Sequence, residues 1–305
     1  HLPDQKIFVR SVEEMKKMPM EYRKVVVDLE HTIYIIHTSG STGNPKGVKI
    51  PERALLNFCW SIQRLCDIHM DDRTCAIQSF CFDVSIMDMF PFFLSGACVY
   101  SIPDAVKQDI HSINQYMIEN GITMQTMTTA LYHLFLEEEN PVLKKLFVIG
   151  EKMVKFKPKS YEIYNMYGPT EATVLVTFGK ITEQTENIPI GAPIDNTKIL
   201  IIREDGTIAD TGEQGEICIL GANLSSGYIN NEEETKKRFV PSVLDPSQKM
   251  YRTGDIGEWT DDGDLLCFGR MDFQIKHRGY RIELDEIKHY VLEIDEIVDC
   301  AVLYN

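Results

Sequence analysis

The sequence predicts an α/β protein with a β-rich second part, and three observations carry that prediction. An apolar run, Thr32–Ile36, leads into a glycine-bearing loop and then into Pro51–Cys66, where Leu55, Phe58, Ile62 and Leu65 recur at helical spacing. Helix-like and strand-like stretches alternate from there to Ile149, the pattern of an α/β sheet. From Ile188 the texture changes to short strands broken by Gly turns.

Taken in order, residues 1–30 are polar and mixed, with Ile7-Phe8-Val9 and Val25-Val26-Val27 reading as short strands. Thr32-Ile33-Tyr34-Ile35-Ile36 reads as a strand buried on both faces. The loop after it, Thr38–Gly47, is TSGSTGNPKG. Its glycines, Gly40, Gly43 and Gly47, let backbone N–H groups approach an anion. Thr38, Ser39, Ser41 and Thr42 offer hydroxyl donors and Lys46 a positive charge, which is the chemistry of a triphosphate cradle. It is not a Walker loop: Pro45 precedes Lys46 and Gly47 follows it, so the metal-binding hydroxyl has no place.

Ala76–Phe82 reads as the next strand and Val84–Leu94 as a buried helix, apolar except for Ser85 and Asp88. Asp83 stands at the start of that helix, as an N-cap or as a carboxylate offered to a ligand. Helices are expected over His111–Asn120 and Ala130–Glu138, and strands over Thr123–Met127 and Leu146–Ile149. Gly150-Glu151 then falls at the carboxyl edge of the sheet, where open α/β folds bind ligands. In Asn165-Met166-Tyr167-Gly168-Pro169-Thr170-Glu171 a tight turn brings a ring, a hydroxyl and a carboxylate together. Frequent turns (Asp205-Gly206, Thr211-Gly212, Asp262-Gly263) point to a small barrel packed on the α/β part. Cys300–Leu303 reads as a closing apolar strand.

The 305 residues, 44% hydrophobic, can bury a sizeable core. A formal net charge of −15 argues against a nucleic-acid partner. Eight cysteines without a C-x-x-C pair, many inside apolar runs, fit a reducing, cytoplasmic setting. No apolar run reaches membrane-spanning length and no secretory signal opens the chain, so neither a membrane nor export is expected.

The phosphate loop, the Phe82-Asp83-Val84-Ser85 segment, the Asn165–Glu171 turn, Gly215–Asn230, Tyr251-Arg252-Thr253-Gly254-Asp255 and Gly269–Lys276 occur in one order. Together they resemble the adenylate-forming enzymes, and specifically the amino-acid adenylation domains of nonribosomal peptide synthetases. D-alanine–carrier protein ligases form the neighbouring branch, where cysteine commonly stands in the place of Ile149. The resemblance implies an α/β core over residues 1–187 and a β-rich subdomain over 188–271. The start of a mobile C-terminal domain would occupy 272–305. It also implies a longer parent, with a larger N-terminal part and a C-terminal catalytic lysine beyond Asn305, so that these 305 residues alone are expected to turn over weakly or not at all.

The implied ligands are ATP, Mg²⁺, an amino acid and a phosphopantetheinylated carrier protein. Thr38, Ser39, Gly40, Ser41, Thr42, Gly43 and Lys46 would cradle phosphates, beside Gly150, Glu151, Asn165 and Gly168. Tyr167 would stack on adenine, Thr170 bond a phosphate, Glu171 hold Mg²⁺, Asp255 accept both ribose hydroxyls and Arg270 lie near ribose and phosphate. Thr170, Glu171 and Lys46 are the implied catalytic groups. Asp83 would pair with the substrate α-ammonium, and Val84, Met87, Thr126, Phe147, Ile149, Met166, Val174 and Leu175 would line an apolar pocket. Asp272 would be the hinge, and Gly279 would leave room for the phosphopantetheine arm. Two other functions share parts of this pattern: an acyl- or aryl-CoA ligase in which Asp83 merely caps a helix, and a non-catalytic nucleotide- or carrier-binding fragment.

Overall fold

The computed structural model describes residues 28–39, 45–272, 274–277, 280–292, 294, 297 and 299–304. The readings placed on Ile7–Val9, Val25–Val27, Gly40–Gly43 and Gly279 lie outside the described residues.

β1 (Thr32–Thr38) and β2 (Lys46–Pro51) form an antiparallel hairpin with Thr38 opposite Lys46. The predicted passage from strand through loop to helix therefore contains a second strand. β1 is also not buried on both faces: Tyr34 and Ile36 turn inward while Ile33 and Ile35 are exposed, the alternation of a strand covered on one side. The helix Glu52–Leu65 follows with Pro51 at its N-cap and buries Leu55, Phe58 and Ile62 as the spacing predicts.

β3 (Arg73–Ala76) and β4 (Cys98–Ser101) pair in parallel around the helix Val84–Leu94. The strand expected at Ala76–Phe82 stops at its first residue because Asp88 takes the next two backbone donors. Its Oδ2 accepts the N–H groups of Ile77 and Gln78, both at 3.2 Å. The helix itself forms with the predicted bounds, but only one side is buried, and Phe90, Phe93 and Leu94 are exposed.

β5 (Met124–Thr128), β6 (Lys145–Ile149) and β7 (Glu162–Tyr167) are parallel neighbours, and β8 (Thr177–Ile181) and β9 (Ala192–Pro193) extend the sheet antiparallel. Alternate residues sort to two cores. Phe147, Ile149 and Met166 pack towards the helices Glu52–Leu65 and Val84–Leu94, while Leu146, Val148 and Ile163 pack against Ile113, Met117 and Tyr132 of the helices Ile110–Glu119 and Thr129–Phe135. Those two helices are capped by the side chains of Asp109 and Thr128.

The second sheet is antiparallel: β10 (Thr197–Ile202), β11 (Gly215–Gly221), β12 (Phe239–Pro241), β13 (Lys249–Trp259) and β14 (Leu265–Arg270). β13 is long enough to pair with β12 over its first residues and with β14 over its last, on the edge opposite β11. The sheet is open, with no pairing among the described residues to close it as a barrel. It shares one hydrophobic core with β2 and with the turn after β7, through Val48, Ile50, Ala172, Val176, Ile217 and Tyr251. β15 (Gln274–His277), β16 (Tyr280–Glu283) and the helix Leu284–Leu292 follow, and Cys300–Leu303 is irregular where a strand was expected. Among the described residues no helix is long and apolar enough to cross a membrane.

Candidate active site

β2 is held along one side by residues 227–229 of the β-rich part. Lys49 N–H donates to the Gly227 carbonyl at 2.9 Å, and Ile229 N–H donates to the Gly47 carbonyl at 2.8 Å. A side chain at Gly47 would meet the Ile229 methyl at 2.6 Å, so only glycine admits this pairing. Lys46 is buried; its Nζ donates to Glu234 Oε1 at 2.8 Å and lies 5.7 Å from the centre of the Tyr228 ring. Burial alone would raise the Glu234 pKa, but the Lys46 hydrogen bond and charge hold it below the usual carboxylate range. At the other end of the loop, the Thr38 hydroxyl is buried with no hydrogen-bond partner among the described residues. Such a group calls for a ligand oxygen.

Asp83 occupies the N-cap position of Val84–Leu94 in helical geometry and makes no capping hydrogen bond with its side chain. The cap reading therefore loses its main support. Beside it the Tyr34 phenol is buried without a hydrogen-bond partner among the described residues. Burial first, then the Asp83 charge, keeps that phenol protonated.

The turn after β7 owes its shape to Gly168. A Cβ there would lie 2.3 Å from the Leu175 Cα and 2.7 Å from the Val174 carbonyl oxygen. The returning chain is strained: Thr173 has φ 58° and Val174 φ 67°, values a β-branched residue rarely adopts. Asn223 fixes it in place, donating from Nδ2 to the Leu175 carbonyl at 3.0 Å and accepting Thr173 Oγ1 at its own carbonyl at 2.8 Å. Glu171 is fully buried and its Oε1 accepts the Tyr228 hydroxyl at 2.7 Å.

On the facing sheet Asp255 is gripped from two sides. Tyr167 donates its hydroxyl to Oδ2, and Arg270 Nη1 donates to Oδ1 at 2.8 Å. Arg270 also donates from Nε and Nη2 to the two oxygens of Asp272 at 2.6 and 2.7 Å. Burial would raise the Asp272 pKa, but the bonds and charge of Arg270 depress it below the ordinary value.

These groups surround two adjoining cavities. One, of about 330 Å³, is lined by Thr38, Ser39, Asp83, Val84, Ile149, Gly150, Gly168, Thr170, Val174, Asp255 and Arg270 among others. The second, of about 580 Å³, shares Gly150, Gly168, Asp255 and Arg270 and adds Glu151, Met166, Tyr167 and Asp272. Residues separated by more than two hundred positions thus line one opening. Lys46, Glu171, Met87, Thr126, Phe147 and Leu175 line neither cavity and stand behind its walls. Asn165 also lies apart, its Nδ2 donating to the Pro189 carbonyl at 2.8 Å. Sequence reasoning passed over Tyr228, Asn223 and Glu234. Tyr228 and Asn223 both sit in Gly215–Asn230, which read as a structural signature only.

This α/β sheet with its antiparallel companion, and a carboxylate, the Thr38 and Ser39 hydroxyls and a Tyr–Asp–Arg cluster around one opening, define a nucleotide-handling class. Residues 4–229 match the family described as AMP-binding enzyme, and the chain belongs to that family. Nonribosomal peptide synthetase subunits and adenylation-domain structures are among the proteins it is similar to. It is 40% identical over 282 residues to Surfactin synthase subunit 1 of Bacillus subtilis (strain 168), covering 92% of this chain and 8% of that protein. Bacitracin synthase 1 of Bacillus licheniformis is 39% identical over 270 residues, covering 88% of this chain and 5% of its own. The structure of the Vibrio cholerae adenylation domain AlmE in complex with glycyl-adenosine-5'-phosphate superposes with a TM-score of 0.82 at 27% identity, covering 90% of this chain and 54% of that one. The chain therefore spans about half of that solved chain and under a tenth of either synthase.

Proposed function

We propose that the protein containing this chain activates an amino acid with an apolar side chain as aminoacyl-AMP, using ATP and Mg²⁺, and passes it to the phosphopantetheine thiol of a carrier protein. One observation carries the reading: Asp83, whose side chain does not cap its helix, lines the same cavity as Thr38, Thr170 and Asp255. A carboxylate beside Val84, Ile149 and Val174 attracts a cationic ligand group more strongly than one in water does.

In this reading the α-ammonium pairs with Asp83 and the substrate carboxylate points towards Thr170. That carboxylate forms a bond to the α-phosphorus as the bond to pyrophosphate breaks. Thr38 and Ser39 hold phosphate oxygens and Lys46, paired with Glu234 behind the wall, is the positive charge nearest to them, so catalysis is positioning and charge neutralisation. Tyr167, Asp255 and Arg270 receive the nucleoside. The orphaned Thr38 hydroxyl on the cavity wall fits a phosphate oxygen, and Glu171, next to Thr170 behind that wall, is the carboxylate that would hold Mg²⁺. Mg²⁺ there would neutralise phosphate charge. Asp272 is the hinge for a swing that brings Gly279 and the carrier thiol to the acyl group. The divisions 1–187, 188–271 and 272–305 belong to the same proposal. Eight free cysteines support a reducing, cytoplasmic setting.

The test is amino-acid-dependent exchange between ATP and pyrophosphate by the full-length parent, across L- and D-amino acids and simple carboxylic acids. Exchange with an apolar amino acid is expected. Exchange only with acids lacking an amine would overturn the reading in favour of an acyl- or aryl-CoA ligase.

A further inference from the structure

We propose that Glu234 is a positioning residue of the nucleotide site: its carboxylate holds Lys46 behind the cavity wall until a phosphate group takes the lysine, and Arg238 then becomes its partner. This rests on the reading of the cavities as the site of a phosphate-bearing nucleotide. Thr38 and Lys46 stand directly opposite each other in the hairpin β1–β2, so their side chains leave it on one face. That face is the inward one, since Ile36, Val48 and Ile50 of the same alternation are buried. Thr38 lines the smaller cavity, and its hydroxyl is buried without a partner among the described residues. Lys46 starts from the same face but lines neither cavity, its Nζ drawn aside to Glu234 Oε1 at 2.8 Å. Both side chains are largely buried, 7% and 16% exposed.

A change of partner at Lys46 would ordinarily strand the carboxylate, and a buried charge left uncompensated is strongly destabilising. Here a second cation is already in place. Arg238, one helical turn beyond Glu234 in the helix Glu232–Arg238, has its Nε 3.4 Å from the same Oε1. Arg238 also lies 3.7 Å from Asp272 Oδ2, but Asp272 does not depend on it, because Arg270 donates to both of its oxygens at 2.6 and 2.7 Å. Arg238 is therefore available to close on Glu234 as Lys46 leaves, and the carboxylate is paired before and after the exchange.

The segment that carries the pair is fixed locally. Asn231 Oδ1 accepts the Glu234 N–H at 3.1 Å, and Thr235 Oγ1 accepts the Tyr228 N–H at 3.0 Å. The Tyr228 ring, 5.7 Å from Lys46 Nζ, offers the ammonium a π-face beside its present partner. Glu234 thus sets a threshold: a ligand draws Lys46 over only with a negative group stronger than one carboxylate. Phosphates meet that condition, and an uncharged nucleoside does not.

The experiment measures the affinities of the full-length parent for ATP with Mg²⁺, by calorimetry, and for adenosine, by competition. Glu234→Gln keeps an acceptor oxygen for Lys46 and removes the charge. ATP is expected to bind on the order of tenfold more tightly, the scale of one charge-assisted hydrogen bond that the ligand no longer has to displace, while adenosine binds as before. Arg238→Gln removes the replacement partner and is expected to weaken ATP binding by a similar factor, an effect that disappears when Glu234→Gln is added. Equal changes for adenosine and ATP would mean that the helix Glu232–Arg238 only supports the fold. Weaker ATP binding in Glu234→Gln, with adenosine unchanged, would mean that Glu234 presents Lys46 to the ligand instead of withholding it. Either result overturns the proposal, as does an unchanged ATP affinity in both variants. A parent that binds neither ATP nor adenosine overturns the nucleotide reading itself, and the proposal with it.

Discussion

The two cavities share a rim and are built by opposite means. On the side proposed for the nucleotide, Asp255, Tyr167, Arg270 and Asp272 are joined by charged hydrogen bonds that span strands β7, β13 and β14. The cavity proposed for the amino acid shares Asp255 and Arg270 with its neighbour and adds the apolar side chains of Val84, Ile149 and Val174 beside Asp83. The first arrangement presents preset dipoles to a ligand and is insensitive to small changes of volume. In the second Asp83 stands beside the apolar stretch of Val84, Ile149 and Val174, where a charge is felt more strongly than in water.

The largest effect should come from removing that charge. Asp83→Ala is expected to cost about 3–5 kcal/mol of amino-acid binding by stranding a desolvated ammonium, read as the amino-acid dependence of exchange. ATP binding should be preserved. Near-normal amino-acid affinity in this variant would erase the distinction between the cavities.

Five residues along the same helix, Asp88 behaves differently and sharpens the contrast. It is fully buried, and burial pushes its pKa up to about 8 against the pull of the Gln78 and Ile77 N–H groups and of Thr126. Its folded value lies above the unfolded one, about 3.9, so the folded chain holds an extra proton between the two. Its stabilising contribution is therefore complete below about pH 4 and declines as pH rises, by about 1.4 kcal/mol per unit, until it levels off near pH 8. Asp88→Asn, which mimics the neutral acid, should flatten that decline when unfolding is followed in denaturant at pH 5 and pH 7. An unchanged slope would mean that Asp88 is ionised in the fold.

The difference between the cavities also explains what was legible in the sequence. The side proposed for the nucleotide is assembled from short local patterns: Gly168 permits the close return of Val174–Leu175, and Asp255 lies within the strand β13. The helix bounds Val84–Leu94 and the strand Leu146–Ile149 could be read from apolar runs. The second strand of the hairpin, Lys46–Pro51, could not, because its pairing partners are β1 and the distant Gly227–Ile229. The early end of the strand at Ala76 depended on Asp88, eleven residues beyond Ile77, taking its backbone donors. The clamp of Asn223 on Val174 and the hold of Tyr228 on Glu171 are long-range contacts that no local pattern announces.

On the nucleotide side the expected effects are smaller. Asp255→Ala leaves the Tyr167 hydroxyl and the Arg270 guanidinium without their shared acceptor and removes the carboxylate proposed for the ribose. A loss of about 2–3 kcal/mol in ATP affinity follows from hydrogen bonds to a charged group, measurable by calorimetry on the full-length parent. The amino-acid preference of whatever exchange remains should not move, and a changed preference would show that the two sites are not separable.

The smallest change is the most discriminating. Tyr228 donates to Glu171 and lays its ring beside Lys46, so it touches both charged groups that stand behind the cavity wall. Tyr228→Phe keeps the ring and its packing against Phe239, and removes only the hydroxyl donor. The loss should be about 1 kcal/mol, the usual worth of one hydrogen bond. If Glu171 is the oxygen ligand proposed for Mg²⁺, that loss appears as a roughly fivefold weaker affinity for Mn²⁺ in the presence of ATP, followed by electron paramagnetic resonance. The amino-acid KM should stay where it was. Should Tyr228→Phe instead shift the amino-acid KM with metal affinity intact, Glu171 would belong to the amino-acid side, and the division drawn here between a hydrogen-bonded cavity and a packed one would have to be redrawn around the turn that joins them.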